Sequence, residues 1–271
     1  MNARFSVNVT TTWQWDLGQC VDAYARLGIP AIGITRLGLD EYGREKGIKK
    51  IKDSGLKVSS IAGIGPYTVT EPQAFQQNVE SGIAFMDVAA ELGADCVYVM
   101  AGPRGSLTWE DAAERLTEGL TRLTPAARER GIRLAVEPIH PMRQDLTFVN
   151  TARDTVSIIE PLDSQHVGYV FDFWHLWWER GVLETIARSV DRIFSVQVSD
   201  HKAITMRTMD RAMLGEGIIP LRELLKALEH AGYKGYYDME IISDDMAAMG
   251  YETALQRIVP AFHDLFESID A

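Results

Sequence analysis

Glu137, Asp172, Gln197 and Glu240 share one setting, since each lies at or near the end of an apolar run: IRLAVE at 132–137, VGYVFD at 167–172, IFSVQV at 193–198 and YYDMEI at 236–241. A strand buried on both faces reads as near-continuous Val, Ile and Leu. Pro138 cannot donate to a ladder and stops the first of these runs directly after Glu137. One carboxylate at a strand exit is an ordinary helix cap or arginine partner. Three carboxylates and an amide on adjacent strands repel one another and are poorly solvated unless a cation lies between them. An all-oxygen set suits a hard or borderline divalent ion better than a structural zinc, so Mn2+ is the expected metal, with Mg2+ or Co2+ as alternatives. Beside a carbonyl polarised by such an ion a C–H proton becomes acidic. His140, three residues beyond Glu137, offers an imidazole suited to removing it.

For these exits to converge, the runs must be neighbouring parallel strands, and the rest of the chain reads that way. Strands are expected at 5–9, 31–35, 58–62, 96–100, 132–137, 167–172, 193–198 and 236–241. Helices are expected from the Asp16 cap to residue 27, then over 39–54, 73–92, 108–130, 151–159, 179–189, 220–230 and 251–269, with Gly28, Gly55, Gly93 and Gly131 as stops. A polar loop fills 201–217. Eight strand–helix units of about 30 to 35 residues match a single (β/α)8 TIM barrel over residues 1–271, whose active site lies at the C-terminal strand ends. A doubly wound sheet is the competing architecture. It calls for a Gly-rich phosphate turn after its first strand, whereas SVNVTTTW follows here, and neither GxGxxG nor GxxxxGK[ST] occurs.

Composition narrows the partners. With 27 basic against 38 acidic residues, the formal charge of -11 disfavours a phosphate backbone or an anionic membrane. A content of 46% hydrophobic residues is ample for one large core. The two cysteines, Cys20 and Cys96, have no zinc or redox spacing and read as buried hydrophobes. No signal-peptide pattern opens the chain, and no run approaches the roughly 18 apolar residues of a membrane span, so a cytoplasmic protein is expected.

VEPIH at 136–140, FDFWH at 171–175, VQVSDH at 196–201, RAMLGEG at 211–217 and AGYKGYYDMEI at 231–241 together resemble the xylose isomerase-like barrels. That family includes sugar isomerases and epimerases, inosose-processing enzymes, dehydroshikimate dehydratases and endonuclease IV. The resemblance covers essentially the whole chain and implies metal ligation by Glu137, Asp172, Gln197 and Glu240, with proton transfer by the pair Glu137 and Glu240. It implies a substrate-hydroxyl contact for His175 and a loop-arginine role for Arg211. Many of the family's epimerases have His where Gln197 stands, whereas the dehydroshikimate dehydratases look similar to this chain in carrying glutamine. The implied function is isomerisation or epimerisation of a small keto- or aldo-sugar, with a lyase, by dehydration or by cleavage of an oxidised C-glycoside, as the alternative. The endonuclease branch fits neither the acidic charge nor the absence of its many histidines. His201 reads as a further substrate contact. Trp174, Trp177 and Trp178, with Trp13, Trp15 and Tyr67, offer walls for a sugar face or an aromatic aglycone. The family's dimers and tetramers also imply a homo-oligomer or a second subunit.

Overall fold

Local sequence signals set where each helix begins and ends, and the barrel follows from their alternation with apolar strands. Asp16 accepts the backbone N–H of Gln19 while the Gln19 side chain accepts that of Asp16, a capping box that starts α1 (Leu17–Arg26). At the far ends of α4 (Pro72–Leu92) and α5 (Trp109–Arg130), Gly93 and Gly131 take φ of 64° and 66°, a left-handed turn that glycine adopts without a Cβ penalty.

The computed structural model describes residues 2–205, 207 and 210–269. Its barrel strands are β1 (Phe5–Asn8), β2 (Ala31–Thr35), β3 (Lys57–Ile64), β4 (Val97–Val99), β5 (Leu134–Val136), β6 (Val167–Asp172), β7 (Ile193–Val198) and β10 (Tyr237–Met239). All pair in parallel and close in the order β1-β10-β7-β6-β5-β4-β3-β2, so the expected (β/α)8 barrel is the fold. Around it lie α1, α4, α5, α3 (Arg44–Ser54), α6 (Ala152–Ile159), α8 (Val182–Ser189), α9 (Leu221–Ala231) and α11 (Tyr251–Glu267). Among the described residues no helix is long and apolar enough to cross a membrane.

Several stretches differ from the sequence reading, among them a short helix, α10 (Asp244–Met249), where none was expected. The charged segment expected as one helix is two, α2 (Arg36–Tyr42) and α3, because Gly43 has φ of 94° and ends the first. Ahead of α8 the chain forms a separate turn, α7 (Phe173–Leu176). Glu179 is not helical but caps α6, accepting the N–H of Ala152 at 2.7 Å and of Arg153 at 3.2 Å. The polar loop carries an antiparallel hairpin, β8 (Asp200–His201) with β9 (Arg211–Ala212), while Met206, Thr208 and Met209 lie outside the described residues.

The apolar core lies mainly between barrel and helices, while the inside of the barrel combines buried polar side chains such as Ser6, Asn8, Gln197 and Asp238 with a small apolar cluster. Phe194, Cys96, Val170, Ala135 and Tyr98 form a separate small cluster. The Tyr98 and Ser195 hydroxyls share a hydrogen bond of 2.8 Å, and Asn8 Nδ2 donates to Asp238 Oδ2 at 2.8 Å. Asp172 is in register with Gln197, and Gln197 with Asp238. Paired residues of parallel strands face the same side, so Asp172, Gln197 and Asp238 share the barrel interior.

Candidate active site

The C-terminal mouth gathers the charged groups that the strand ends deliver. Glu137, Asp172, Gln197, Glu240, His175 and Arg211 are all buried there. Ligand atoms of Glu137, Asp172 and His175 lie within 4.8 Å of one another. Arg211 crosses between two of the carboxylates, 3.0 Å from Asp172 Oδ2 and 2.7 Å from Glu240 Oε2, and its Nη1 donates to the Glu240 carbonyl at 2.7 Å. Thr10 Oγ1 donates to Glu240 Oε1 at 3.1 Å.

Burial raises the pKa of all three acids. Glu137 is pushed well above the usual carboxylate range, first by desolvation and then by the charges of Glu240 and Asp172. Burial lifts Asp172 and Glu240 as well, and Arg211 opposes the rise in both. Fully ionised, three carboxylates against one guanidinium would carry an excess of two negative charges, and burial together with mutual repulsion holds Glu137 toward its neutral form when no cation is present. The Gln197 side-chain oxygen is buried with no hydrogen-bond partner among the described residues. An orphaned acceptor beside clustered buried carboxylates is what a divalent cation satisfies, so the donor set fits a divalent metal.

His175 belongs to this site, but hydrogen-bond polarity argues against it as a ligand. The His140 backbone N–H donates to His175 Nδ1 at 3.2 Å, so Nδ1 supplies a lone pair. Burial and the Arg211 charge push the imidazole well below its ordinary pKa, and the neutral ring carries its proton on Nε2, 3.5 Å from Asp172 Oδ2. A protonated Nε2 cannot ligate a metal. It can orient Asp172 or donate to a substrate hydroxyl, and the oxygen of Gln197 is left as the fourth donor.

The aromatic residues divide into three groups. Trp174 is fully buried, stacks on His201 at 5.0 Å between ring centroids and lies 5.4 Å from the His140 ring, so it backs the site. Trp13 is 51% exposed on the segment after β1. Tyr67 stands apart from the other expected contacts. Its ring is fully buried near α4 and α5, 6.1 Å from Phe75, where a Cβ on Gly119 would come within 2.7 Å of it. Tyr67 packs helices onto the barrel and does not line the mouth.

Sequence reasoning did not single out Asp200 as an organiser. Its buried carboxylate accepts the N–H groups of Gly215 at 3.1 Å, Gly217 at 2.9 Å and Ile219 at 2.9 Å, folding the loop whose hairpin carries Arg211 opposite His201. The available signal was an acid at a strand exit followed by the glycines of LGEG. Thr10 gave no comparable signal, because its partner is 230 residues away.

A family model described as xylose isomerase-like TIM barrel matches residues 21–260. The chain belongs to that family. Among its curated relatives, a 3-dehydroshikimate dehydratase of Pseudomonas aeruginosa is 24% identical over 88% of this chain, and the match spans 38% of that larger protein. An inosose dehydratase of Geobacillus thermodenitrificans is 24% identical over 88% of this chain and 86% of the relative. A D-psicose 3-epimerase of Enterocloster bolteae is 21% identical over 92% of this chain and 84% of the relative. Of the solved structures, protein SMc04130 of Sinorhizobium meliloti superposes with a TM-score of 0.89 at 29% identity, over 97% of this chain and 98% of that one. The IolI protein with a bound zinc atom shares the fold with a TM-score of 0.87 at 19% identity, over 98% of this chain and 99% of that one. Dehydratases and an epimerase thus stand among these relatives.

Proposed function

We propose that this chain is a divalent-metal-dependent epimerase or isomerase of a small polyhydroxy ketone or aldehyde, acting by proton transfer next to a carbonyl. The observation that carries this reading is the meeting of Glu137, Asp172 and the Arg211-linked Glu240 at one strand-end mouth where the buried Gln197 oxygen has no partner among the described residues. Glu137, Asp172, Gln197 and Glu240 would hold the ion. A bound divalent cation, Mn2+ in the first instance and Mg2+ or Co2+ otherwise, polarises the substrate carbonyl and acidifies the neighbouring C–H.

The remaining chemistry falls to the chain's own groups. Epimerisation needs one group to remove a proton and another to return it. Glu137 and Glu240 are two carboxylates with two oxygens each, so an oxygen can serve as a ligand while the other handles a proton. Arg211 holds Glu240 in place, and the Nε2–H of His175 is available to a substrate hydroxyl or to Asp172. Trp174 and its neighbours shield the transfer from water.

A second reading, β-elimination of water or of an oxidised C-glycoside, is favoured by His140. Its Nδ1 accepts the Met142 N–H at 3.2 Å, which leaves Nε2–H as the donor that a departing group requires. The similarity to two dehydratases supports the same alternative. Incubating the Mn2+-loaded protein with candidate ketoses and inososes in D2O separates the two readings. Deuterium uptake next to the carbonyl without loss of a group is expected, and uptake should fall by about 10²–10⁴-fold in Glu240→Gln. Release of water or aglycone would instead establish elimination. Neither exchange nor release of a group with Mn2+, Mg2+ or Co2+ would remove both readings.

A further inference from the structure

The run NVTTT at 8–12 stands where β1 leaves the barrel, and its last four residues form one tight turn, Val9–Thr12. Each of the three threonines commits its hydroxyl to a different anchor. Thr12 Oγ1 lies 2.8 Å from the Tyr24 hydroxyl of α1. Thr11 Oγ1 donates to the Met239 carbonyl at 2.7 Å and accepts the Ile241 N–H at 2.9 Å, so one hydroxyl bridges the backbone on both sides of Glu240. Thr10 Oγ1 reaches the Glu240 side chain itself, 3.1 Å from Oε1.

Thr10 is held in turn. Asn8 Oδ1 accepts its N–H at 3.1 Å, which caps the turn, and stands 2.8 Å from its hydroxyl. The direction of the Asn8 amide is set from the other side, because its Nδ2 donates to Asp238 Oδ2 at 2.8 Å inside the barrel. The Thr10 hydroxyl carries one proton and has two acceptors in reach. Asn8 Oδ1 already has the Thr10 N–H, whereas Glu240 Oε1 has no other hydrogen-bond donor among the described residues. An ionised carboxylate is also the stronger acceptor, so the proton belongs on the Glu240 side. With Arg211 2.7 Å from Oε2, the carboxylate is held at both oxygens. A ligand oriented from outside in this way binds its ion more tightly than one free to rotate.

We propose that the turn after β1 positions Glu240: Thr10 fixes the plane of its carboxylate, Thr11 fixes its backbone, and Asn8, aligned by Asp238, fixes Thr10. Thr10 and Asn8 are positioning residues, since they act through Glu240 and need touch neither ion nor substrate. The assignment rests on Glu240 being the metal ligand and proton carrier proposed above.

Calorimetric titration of the full chain with Mn2+ tests this grip without turnover. Thr10→Val keeps the side-chain shape and removes the hydroxyl, and it should bind the ion about tenfold more weakly. Thr10→Ser should restore the wild-type affinity. Asn8→Ala should match Thr10→Val, and the double variant should bind no more weakly than either single one, because both work through one hydroxyl. Thermal melts of the metal-free proteins would check that each is folded; where Asn8→Ala is not, the two Thr10 variants decide. Wild-type affinity in Thr10→Val, a loss that serine does not restore, or losses that add in the double variant would overturn the proposal. With a ketose that exchanges its proton at saturating Mn2+, Thr10→Val should lower kcat about tenfold and leave KM unchanged. An unchanged kcat would count equally against it. A wild type that takes up Mn2+ but exchanges no proton would remove the polyol chemistry and leave Thr10 as the orienter of a metal ligand. A wild type that takes up no Mn2+ would remove both.

Discussion

Two histidines flank Trp174 with opposite hydrogen-bonding polarity. His140 Nδ1 accepts the Met142 N–H, so its neutral ring carries the proton on Nε2. His201 Nδ1 faces the Lys202 carbonyl at 2.7 Å; a carbonyl cannot donate, so that ring is protonated on Nδ1 and its Nε2 is an acceptor. Burial and the neighbouring His201 push the His140 pKa below its ordinary value of 6.5. Long-range 1H–15N spectra near pH 7 should therefore show His140 as the Nε2–H tautomer, titrating with a midpoint below 6.5. An Nδ1–H tautomer or a higher midpoint would disprove the assignment. The unfolded chain takes this proton more readily than the folded one. The His140 contribution to stability is therefore complete above the ordinary pKa and declines as pH falls through it. The same tautomer weakens the case for His140 as a base and leaves its Nε2–H as a hydrogen-bond donor that could steady the charge on a departing group. If the reaction is elimination, His140→Ala should lose about 10²–10⁴-fold in rate, whereas an epimerase relying on its glutamates should lose far less. Glu137 could be found in the sequence because a proline stops its strand. The histidine tautomers could not, because they depend on which backbone N–H or carbonyl folding brings to each ring.

At the scale of the elements, strand exits and helix ends were legible because each depends on a few adjacent residues: the Asp16–Gln19 box, the left-handed glycines and the continuous apolar runs. Long-range choices were not. Arg211 reaches Asp172 across 39 positions only because the hairpin and the Asp200 clamp fold its loop back. Tyr67 follows a strand end as a pocket residue would, yet glycines at 82 and 119 open a berth for it beneath the helices. Gly33 illustrates the same point inside the barrel. A Cβ there would stand 2.3 Å from Asp238 Oδ2, 2.6 Å from Asn8 Nδ2 and 2.9 Å from Ser60 Oγ. These short side chains are held by one another in the interior and cannot swing clear. Gly33→Ala should destabilise the protein by about 1–3 kcal/mol, the usual penalty for overpacking. Denaturant melts would check it, and an unchanged midpoint would mean that the polar layer adapts more readily than these distances imply.

For the molecule as a whole, the inside of the barrel is where folding and metal binding oppose each other. A barrel filled with Val and Ile would be more stable than one holding three buried carboxylates and an unpaired amide oxygen, so the site is a cost carried by the metal-free protein. A ligand that binds only the folded chain offsets that cost by mass action, about 2.7 kcal/mol at a hundredfold excess over its dissociation constant. For a chain of this size that is a rise in melting temperature of roughly 5–10 °C. Mn2+ should produce such a rise, and a chelator should reverse it. Gln197→Met provides the sharper test, because it keeps the side-chain length and removes the orphaned oxygen. If Gln197 is a ligand, the metal-free variant should melt at or above the wild-type temperature while losing much of the Mn2+-induced rise, so that one substitution moves the two forms in opposite directions. An equal loss of stability with and without metal would make Gln197 a packing residue. A Mn2+-induced rise as large in the variant as in the wild type would remove it from the ligand set and leave the three carboxylates to hold the ion.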